Sequence, residues 1–408
     1  MNILQLCKKF PYPLKDGESL AVNYLSKSLV ELGAEITLLT MNTSKHYFKF
    51  DHIPAEISHY KEIHHVPVNN DVTPQGAILN LFSHESYHVT RYINDHFEQK
   101  LVELLEQNEY DIVHLETLYV TPYIPVIRKH SKATIVLRSH NVEFEIWQRV
   151  ADNTRFFLRR WYLNYLTFKL KRFEVRQLGQ IDYLLAITQR DLKTFRSLGY
   201  LRSAQIVPVG LDTTDYMASD KDLFTRPAIG FIGSLDWIPN IEGLVWFLSD
   251  VWPKLLMKYP DLTFHVAGRN TPPEIMKRQD PNVIYYGEVE DAKAFINFFP
   301  IMVVPLLSGS GMRVKILEGM LLARIVITTS LGLEGIDAQD KNQILVAETA
   351  DEFIQKIDFC FDHPVMSQHI SHRAQVFVAR HYDNLQIGRE LMGFYKNNLK
   401  PVVEEKMS

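Results

Sequence analysis

Short apolar runs recur along this chain, each followed by a turn and then by a stretch with helical spacing, and that alternation constrains its fold more than any other feature. In the first half the runs at 2–6, 35–40, 111–116, 134–138 and 183–188 read as strands. Asp16-Gly17 marks a loop after the first run, and 21–32 carries apolar residues at helical spacing, with Gly33 as its stop. Strands that alternate with helices imply right-handed crossovers and a parallel sheet. A second alternation begins after the polar segment 212–226, with strands at 228–232, 263–267, 283–286, 301–307, 325–328 and 343–346. There 240–248 opens a helix with Asn240 as its N-cap. The stretch 367–399 reads as one last long helix that lies across both halves. The chain has 408 residues, too many for one ordinary core and enough for two domains of about 200. The boundary falls near 210–226, and the halves look like duplicates of one α/β architecture. There is no low-complexity tract and no short-period repeat.

Composition matters mainly for what it excludes. Hydrophobic residues make up 46% and charged residues 23%, a globular balance. The net charge of −4 argues against a protein that coats nucleic acid, so no nucleic-acid partner is expected. Cys7 and Cys360 fit neither a disulfide framework nor a metal-ligand spacing; a buried free thiol is expected for Cys7, and a reducing compartment. Apolar runs such as IMVVPLL at 301–307 are strand-sized, well short of the roughly 20 residues that cross a bilayer. The N-terminal MNILQLCKKF lacks the cleavage-like small residues of a signal peptide and reads as a first strand. A cytoplasmic protein is expected.

Residues 142–180 break the rhythm. They form a helical stretch rich in aromatic and basic residues, among them Arg155, Phe156, Phe157, Trp161, Lys171 and Arg176. Two amphipathic helices with a solvated cationic face account for it. So does a surface, 155–176, that touches anionic lipid headgroups or a lipid-linked acceptor as a peripheral contact at the inner face of a membrane.

The most informative stretch is 301–322, where a buried strand runs into Ser308-Gly309-Ser310-Gly311 and a helix follows. Glycines let the backbone approach a ligand closely. The first amides of a helix have no internal partner and suit an anion such as a diphosphate. Arg313 and Lys315 add positive charge where the helix dipole is already positive, which makes sense when an anion binds among them. Glu318, seven residues after Gly311, is placed to accept two ribose hydroxyl protons. A plain strand–turn–helix with surface charges is the ordinary alternative. Val314 stands where a GxGxxG would need its third glycine, so a nicotinamide cofactor is poorly supported, and no Walker pattern is present.

With these residues in view, the second half resembles the nucleotide-binding domain of glycosyltransferase family 4. The matching segments are FIGSLDWIPNIEGLVWF (231–247), LTFHVAGRN (262–270), VIYYGEVEDAKAF (283–295), VVPLLSGSGMRVKILEGMLL (303–322) and VITTSLGLEGI (326–336). The first half matches more loosely, through the loop after the first strand, DIVHLE (111–116), RSHNVE (138–143), DYLLAIT (182–188) and IVPVGLD (206–212). The resemblance implies the GT-B fold: two Rossmann-like domains with parallel sheets facing across a cleft, and a C-terminal helix crossing back to the first domain. The acceptor-side domain would span 1–212, with a helical insertion at about 142–180. The nucleotide-sugar domain would span 226–380, and 381–400 would be the returning helix.

Carried over residue by residue, the resemblance makes Glu318 the second glutamate of the Glu-x7-Glu motif and the holder of the ribose. Ser310 stands where the first glutamate would be, and the Ser310-Gly311 amides would meet the donor's sugar or phosphate. Ser234, beside Gly233, stands where the family often has an arginine that grips the diphosphate, so Arg313 and Lys315 would supply that charge. The 286–289 segment, with Gly287 and Val289, would border the nucleobase. His140 matches a histidine that the family places near the donor sugar. Asn141 and Glu143 share its segment; Glu143 is an acceptor-hydroxyl ligand or a helix-start carboxylate. Asp16-Gly17 sits where the family often has two glycines, bordering acceptor and phosphate.

The implied reaction moves a sugar from a nucleoside-diphosphate donor to a saccharide or lipid-linked acceptor, with retention of configuration. The anion-binding residues would stabilise the departing diphosphate more in the transition state than in the ground state. No metal or other cofactor is expected beyond the nucleotide sugar as co-substrate. A role in cell-surface polysaccharide synthesis goes with the family. Two rivals share the scaffold: a nucleotide-sugar epimerase or hydrolase, and a non-catalytic nucleotide-sugar-binding subunit.

Overall fold

The computed structural model describes residues 1–14, 16–83, 85–218, 227–309 and 311–399. The chain divides into two compact units, one of Met1–Gly210 with the C-terminal segment from Asn384, the other of Leu211–Asp383.

The first unit is built on a seven-stranded parallel sheet. Its strands are β1 (Asn2–Cys7), β2 (Glu35–Thr43), β3 (Glu62–Val68), β4 (Ile112–Glu116), β5 (Thr134–Ser139), β6 (Tyr183–Ala186) and β7 (Ala204–Ile206), in the order β3-β2-β1-β4-β5-β6-β7. Side chains alternate across β1 as strand geometry requires. Leu4 and Leu6 pack into one core layer with Phe97, Leu101 and Tyr123, while Ile3 and Cys7 enter the other with Val22, Leu25 and Leu29 of the Gly17–Glu31 helix. Burial on both faces is why these strands read as continuous apolar runs. The C-terminal helix Asn384–Asn398 completes the second layer with Ile387, Leu391, Met392 and Tyr395. It lies close against the first helix, since a Cβ on Gly388 would come within 2.9 Å of the Ser28 Cβ.

The second unit repeats the plan with six parallel strands: β8 (Ala228–Ile232), β9 (Thr263–Ala267), β10 (Val283–Gly287), β11 (Ile301–Val304), β12 (Ile325–Thr328) and β13 (Leu345–Val346). Their order is β10-β9-β8-β11-β12-β13. In each sheet the order reverses beside the first strand, at β1/β4 and at β8/β11. Ligands of open α/β sheets bind at the carboxyl ends of strands at such points.

Three local expectations are corrected. The stretch 367–399 is two helices, Pro364–His381 and Asn384–Asn398. The break occurs because the Leu211 backbone N–H donates to the Tyr382 carbonyl (2.8 Å) and the Thr213 hydroxyl to the Asp383 carboxylate (2.7 Å), which holds the chain out of helical register. Asn240 is not an N-cap: the helix Ile238–Trp246 starts after Trp237, with Pro239 in its first turn, and Asn240 is already inside it. The apolar run 301–307 pairs as a strand only to Val304. Strands β3 and β7 complete the first sheet without having been anticipated. Segment 142–180 forms two helices, Glu143–Asp152 and Phe157–Leu178. Cys7 and Cys360 are free and buried.

Candidate functional site

In the second unit the loops after β8 and β11 leave the sheet side by side at its reversal point. The loop after β11 carries Gly309 and Gly311, with φ of +103° and +84°, a left-handed backbone that favours glycine. Ser310, between them, lies outside the described residues. The helix Val314–Leu321 follows, with Arg313 at its N-cap. Arg313 is buried, donates to the Gly311 carbonyl, and sets its guanidinium 5.2 Å from the centre of the Trp237 ring. Trp237 comes from the β8 loop, so one cation–aromatic contact ties the two loops together.

Lys315 reaches the same place from the helix. Its Nζ donates to the Ile232 carbonyl at the end of β8 (3.0 Å) and to Asn240 Oδ1 (2.8 Å). Both partners are neutral. Burial, then the neighbouring Arg313 charge, brings the Lys315 pKa down to about 7 against the pull of Glu318. A Cβ on Gly233 would lie 3.0 Å from this ammonium and 3.0 Å from Asn240 Nδ2, so the glycine there leaves the lysine its seat. Ser234 donates to Asp236 (2.6 Å) and accepts from Arg269 Nη2 (3.3 Å). Arg269 arrives from the turn after β9. Two cations from other elements, Lys315 and Arg269, thus stand at the 232–234 turn.

Glu318 sits one turn further along the helix and accepts from the Tyr216 hydroxyl (2.9 Å). Burial raises its pKa, over the opposing hydrogen bond of Tyr216 and the charges of Lys293 and Lys315. Gly287 ends β10 with φ +70° and takes the Gly268 N–H on its carbonyl (2.7 Å). Next to it, the Tyr286 hydroxyl is 3.0 Å from His265 Nδ1. Val289 is half-buried beyond the strand end.

The first unit concentrates its ionisable groups at the ends of β1, β4 and β5. His140 Nε2 lies 2.8 Å from Glu116 Oε2, and Gln5 Nε2 donates to Glu116 Oε1 (2.7 Å). Burial pushes the Glu116 carboxyl up, but Arg138, His114 and the His140 hydrogen bond outweigh it and hold it at about 2. An ionised carboxylate only accepts, so the His140 Nε2 carries a proton and Nδ1 is the ring nitrogen left to face other partners. Arg138, fully buried, donates to the Ala21 carbonyl (2.8 Å) and sits 3.8 Å from Glu116. Burial lowers the nearby His114 to about 4, which leaves it neutral beside that carboxylate.

Around this pair the predicted acceptor-side residues take distinct places. Asp16 is the N-cap of the Gly17–Glu31 helix, accepting from the Ser19 N–H (2.9 Å) and from Lys9 Nζ (2.8 Å). Gly17 opens that helix. The Asn141 carbonyl accepts from the Ser139 hydroxyl (2.7 Å). Glu143 starts its helix yet is buried, and it accepts from the Tyr119 hydroxyl (2.8 Å). Lys8, ion-paired to Glu18 at 3.0 Å, stands over the Tyr119 ring at 4.7 Å. Glu174 caps the same helix, accepting from the Glu143 and Phe144 N–H groups (both 3.1 Å). Burial and the Glu143 charge raise its pKa to about 8.

Sequence reasoning missed Glu116, Trp237, Asn240 in its actual role, Arg269 and Tyr216. Glu116 and Arg269 lay inside quoted motifs, DIVHLE and LTFHVAGRN. Their signal was position, since each sits at or just past a strand end. Tyr216 had no signal, because it comes from a polar connecting segment.

Residues 226–363 match the family described as "Glycosyl transferases group 1". An uncharacterised 44.6 kDa protein of the cps region of Klebsiella pneumoniae is 24% identical over 299 residues, covering 71% of this chain and 75% of that protein. Among solved structures, sucrose-phosphate synthase of Thermosynechococcus elongatus superposes with a TM-score of 0.71 at 13% identity, over 97% of this chain and 99% of that one. Anabaena Alr3699/HepE, solved with UDP, gives 0.67 at 14% identity, over 97% and 100%. TarM gives 0.65 at 11%, over 97% and 98%. At such identities the structural likeness carries the fold alone, and that fold is the expected two-domain α/β plan.

Proposed function

We propose that this chain is a glycosyltransferase that transfers a sugar from a nucleoside-diphosphate donor, bound by the second unit, to a saccharide or lipid-linked acceptor; the match of residues 226–363 to the group 1 glycosyltransferases supports this reading. The observation that carries this reading is the convergence of Arg313, Lys315 and Arg269 with the glycine loop at the β8/β11 reversal, on a chain with no net positive charge. In the reaction the acceptor hydroxyl oxygen bonds to the anomeric carbon as the bond to the diphosphate oxygen breaks. The electron pair leaves on the diphosphate, and the hydroxyl proton passes to it. Cations fixed in place before the reaction stabilise that growing charge without reorganising. Retention of configuration follows the family resemblance, and no step is routed through a metal.

Glu318 would take the ribose hydroxyls in place of Tyr216, and the 286–289 segment would border the base. His140, its ring fixed by Glu116, would offer Nδ1 to a sugar hydroxyl. UDP in the Anabaena structure and the capsule-region source of the Klebsiella relative support a uridine donor and a role in surface polysaccharide synthesis. A cytoplasmic enzyme meeting a lipid-linked acceptor at the inner face of a membrane fits this reading, with 155–176 as the contact. A calorimetric screen of UDP-, GDP- and ADP-sugars tests the donor. Binding of at least one, weakened in Lys315→Met and Glu318→Gln, is expected; failure of all to bind overturns the reading.

A further inference from the structure

We infer that the first unit docks on an anionic lipid bilayer through one composite face, built from the Phe157–Leu178 helix and the 79–82 segment beside it. This deepens the lipid-linked-acceptor reading and rests on it for purpose, while its observations come from the first unit alone. At about 100° per residue, Phe157, Trp161, Phe168 and Val175 fall on one stripe of the helix. All four are exposed, Phe157 by 70% and Trp161 by 63%, whereas Leu166, Leu170 and Phe173 on the other side are buried. The stripe runs about 27 Å along the helix.

The sequence did not reveal the second element. The Tyr165 hydroxyl donates to the Leu81 carbonyl (3.0 Å), and Lys169 Nζ donates to the Asn80 carbonyl (2.6 Å). These bonds hold the 79–82 segment against the flank of the helix. Leu79 and Phe82 are exposed on it, Phe82 by 85%. The apolar face therefore draws on two parts of the chain fixed to each other by hydrogen bonds. An exposed apolar patch of this kind marks an interaction surface.

Charge selects the occupant. Arg160 and Lys171 border the stripe on one side and Arg172 on the other, all exposed. The guanidinium of Arg172 stands 5.8 Å from the Phe168 ring, a stem-along-apolar, charge-outward arrangement. Exposed Arg155 and Arg159 add two more cations. The acidic side chains near this face are accounted for: Asp152 lies 3.7 Å from Arg160, Glu85 3.1 Å from Arg176, and Glu174 is buried. This cationic excess stands on a chain of net charge −4. A second copy meeting the same face about a two-fold axis would set like charges against like. Anionic headgroups meet the cations, and aromatic rings interleaved with arginine suit the headgroup boundary.

The test is flotation of the full chain with vesicles of phosphatidylcholine, with and without phosphatidylglycerol, at low and high salt. Binding is expected only to the anionic vesicles and should weaken with salt. Each cation near such a surface is worth about fivefold in affinity, so the double variant Arg160→Glu, Arg172→Glu should bind at least tenfold more weakly. The triple variant Phe82→Ser, Phe157→Ser, Trp161→Ser should abolish flotation. These positions are exposed, and circular dichroism confirms folding. Nucleotide affinity measured in the same variants separates the two ideas: it should stay unchanged, and a protein that floats but binds no nucleotide sugar overturns the proposed function and not this surface. Equal binding to neutral vesicles, indifference to both variants, or a concentration-dependent dimer that the triple variant dissolves would each overturn the inference, the last in favour of a second copy.

Discussion

The most decisive perturbation of the proposed donor site is a change of pH, because the protonation of Lys315 would respond directly to a diphosphate bound beside it. In the free protein its pKa is brought down to about 7 by burial and by Arg313, and its hydrogen-bond partners, the Ile232 carbonyl and Asn240, are neutral. A bound diphosphate would supply the missing counter-charge and restore the amine toward the usual value of about 10.4. The sign follows. Between these two values the complex holds a proton that the free protein has lost, so binding takes up a proton and weakens as pH rises. With the free and bound values as given, affinity should fall about fifteenfold from pH 7 to pH 8.5, roughly 1.6 kcal/mol. Titration calorimetry with a nucleoside-diphosphate sugar, in buffers of differing ionisation enthalpy, measures both the affinity and the proton taken up. The donor's diphosphate is a diester and does not titrate in that window. In Lys315→Met the slope should vanish and affinity at pH 7 should fall to near the wild-type value at high pH. An affinity flat across the window, with no proton uptake, would refute the assignment of Lys315 to the phosphate.

Three further outcomes follow from the same geometry. Glu318→Gln should cost about 1.5–3 kcal/mol of nucleotide affinity, and it should erase the preference for ribo- over 2′-deoxynucleotide; equal loss for both sugars would make Glu318 a structural helix residue. Gly233→Ala puts a methyl 3.0 Å from the Lys315 ammonium, so donor affinity should fall while the thermal midpoint barely moves, which parallel binding and melting curves would show. Glu116→Gln leaves the buried Arg138 charge without its carboxylate and should destabilise by about 3–5 kcal/mol, whereas His140→Asn should lose turnover and keep the melting temperature; the reverse pattern would remove His140 from the chemistry.

Much of the architecture was legible because burial on both faces of a parallel sheet leaves uninterrupted apolar runs, and most of the strands announced themselves this way. β3, EIHHVPV, did not: it is an edge strand with two histidines and a proline, half in contact with solvent. β7 has only three residues and falls below any pattern. The stretch 367–399 reads as one continuous helix because nothing in RHYDNLQ breaks helical periodicity. The break comes from outside it, from Leu211 and Thr213 some 170 residues earlier, and no local reading contains that information. Asn240 differs from its expected role for a related reason, since Trp237 and Pro239 open the helix a turn earlier than the strongest capping residue suggests.

The site shows the same division between local and distant causes. The glycine loop, Arg313, Lys315 and Glu318 are contiguous, so their common purpose could be argued from spacing alone. What spacing could not show is which cations the fold brings to Ser234. Lys315 crosses from the β11 helix to the end of β8, and Arg269 crosses from the β9 turn to Ser234 itself. Charge carried past the ends of β9 and β11 thereby meets at the end of β8, and only the sheet order β9-β8-β11 makes these residues neighbours. The consequence for Lys315 is physical as well as topological. It is held among a carbonyl, an amide and a second cation, with no anion of its own among these contacts, and its amine titrates near neutrality for that reason. On the proposed reading a bound diphosphate would supply the anion this arrangement lacks, and Lys315, in completing the charge, would also make donor binding sensitive to pH.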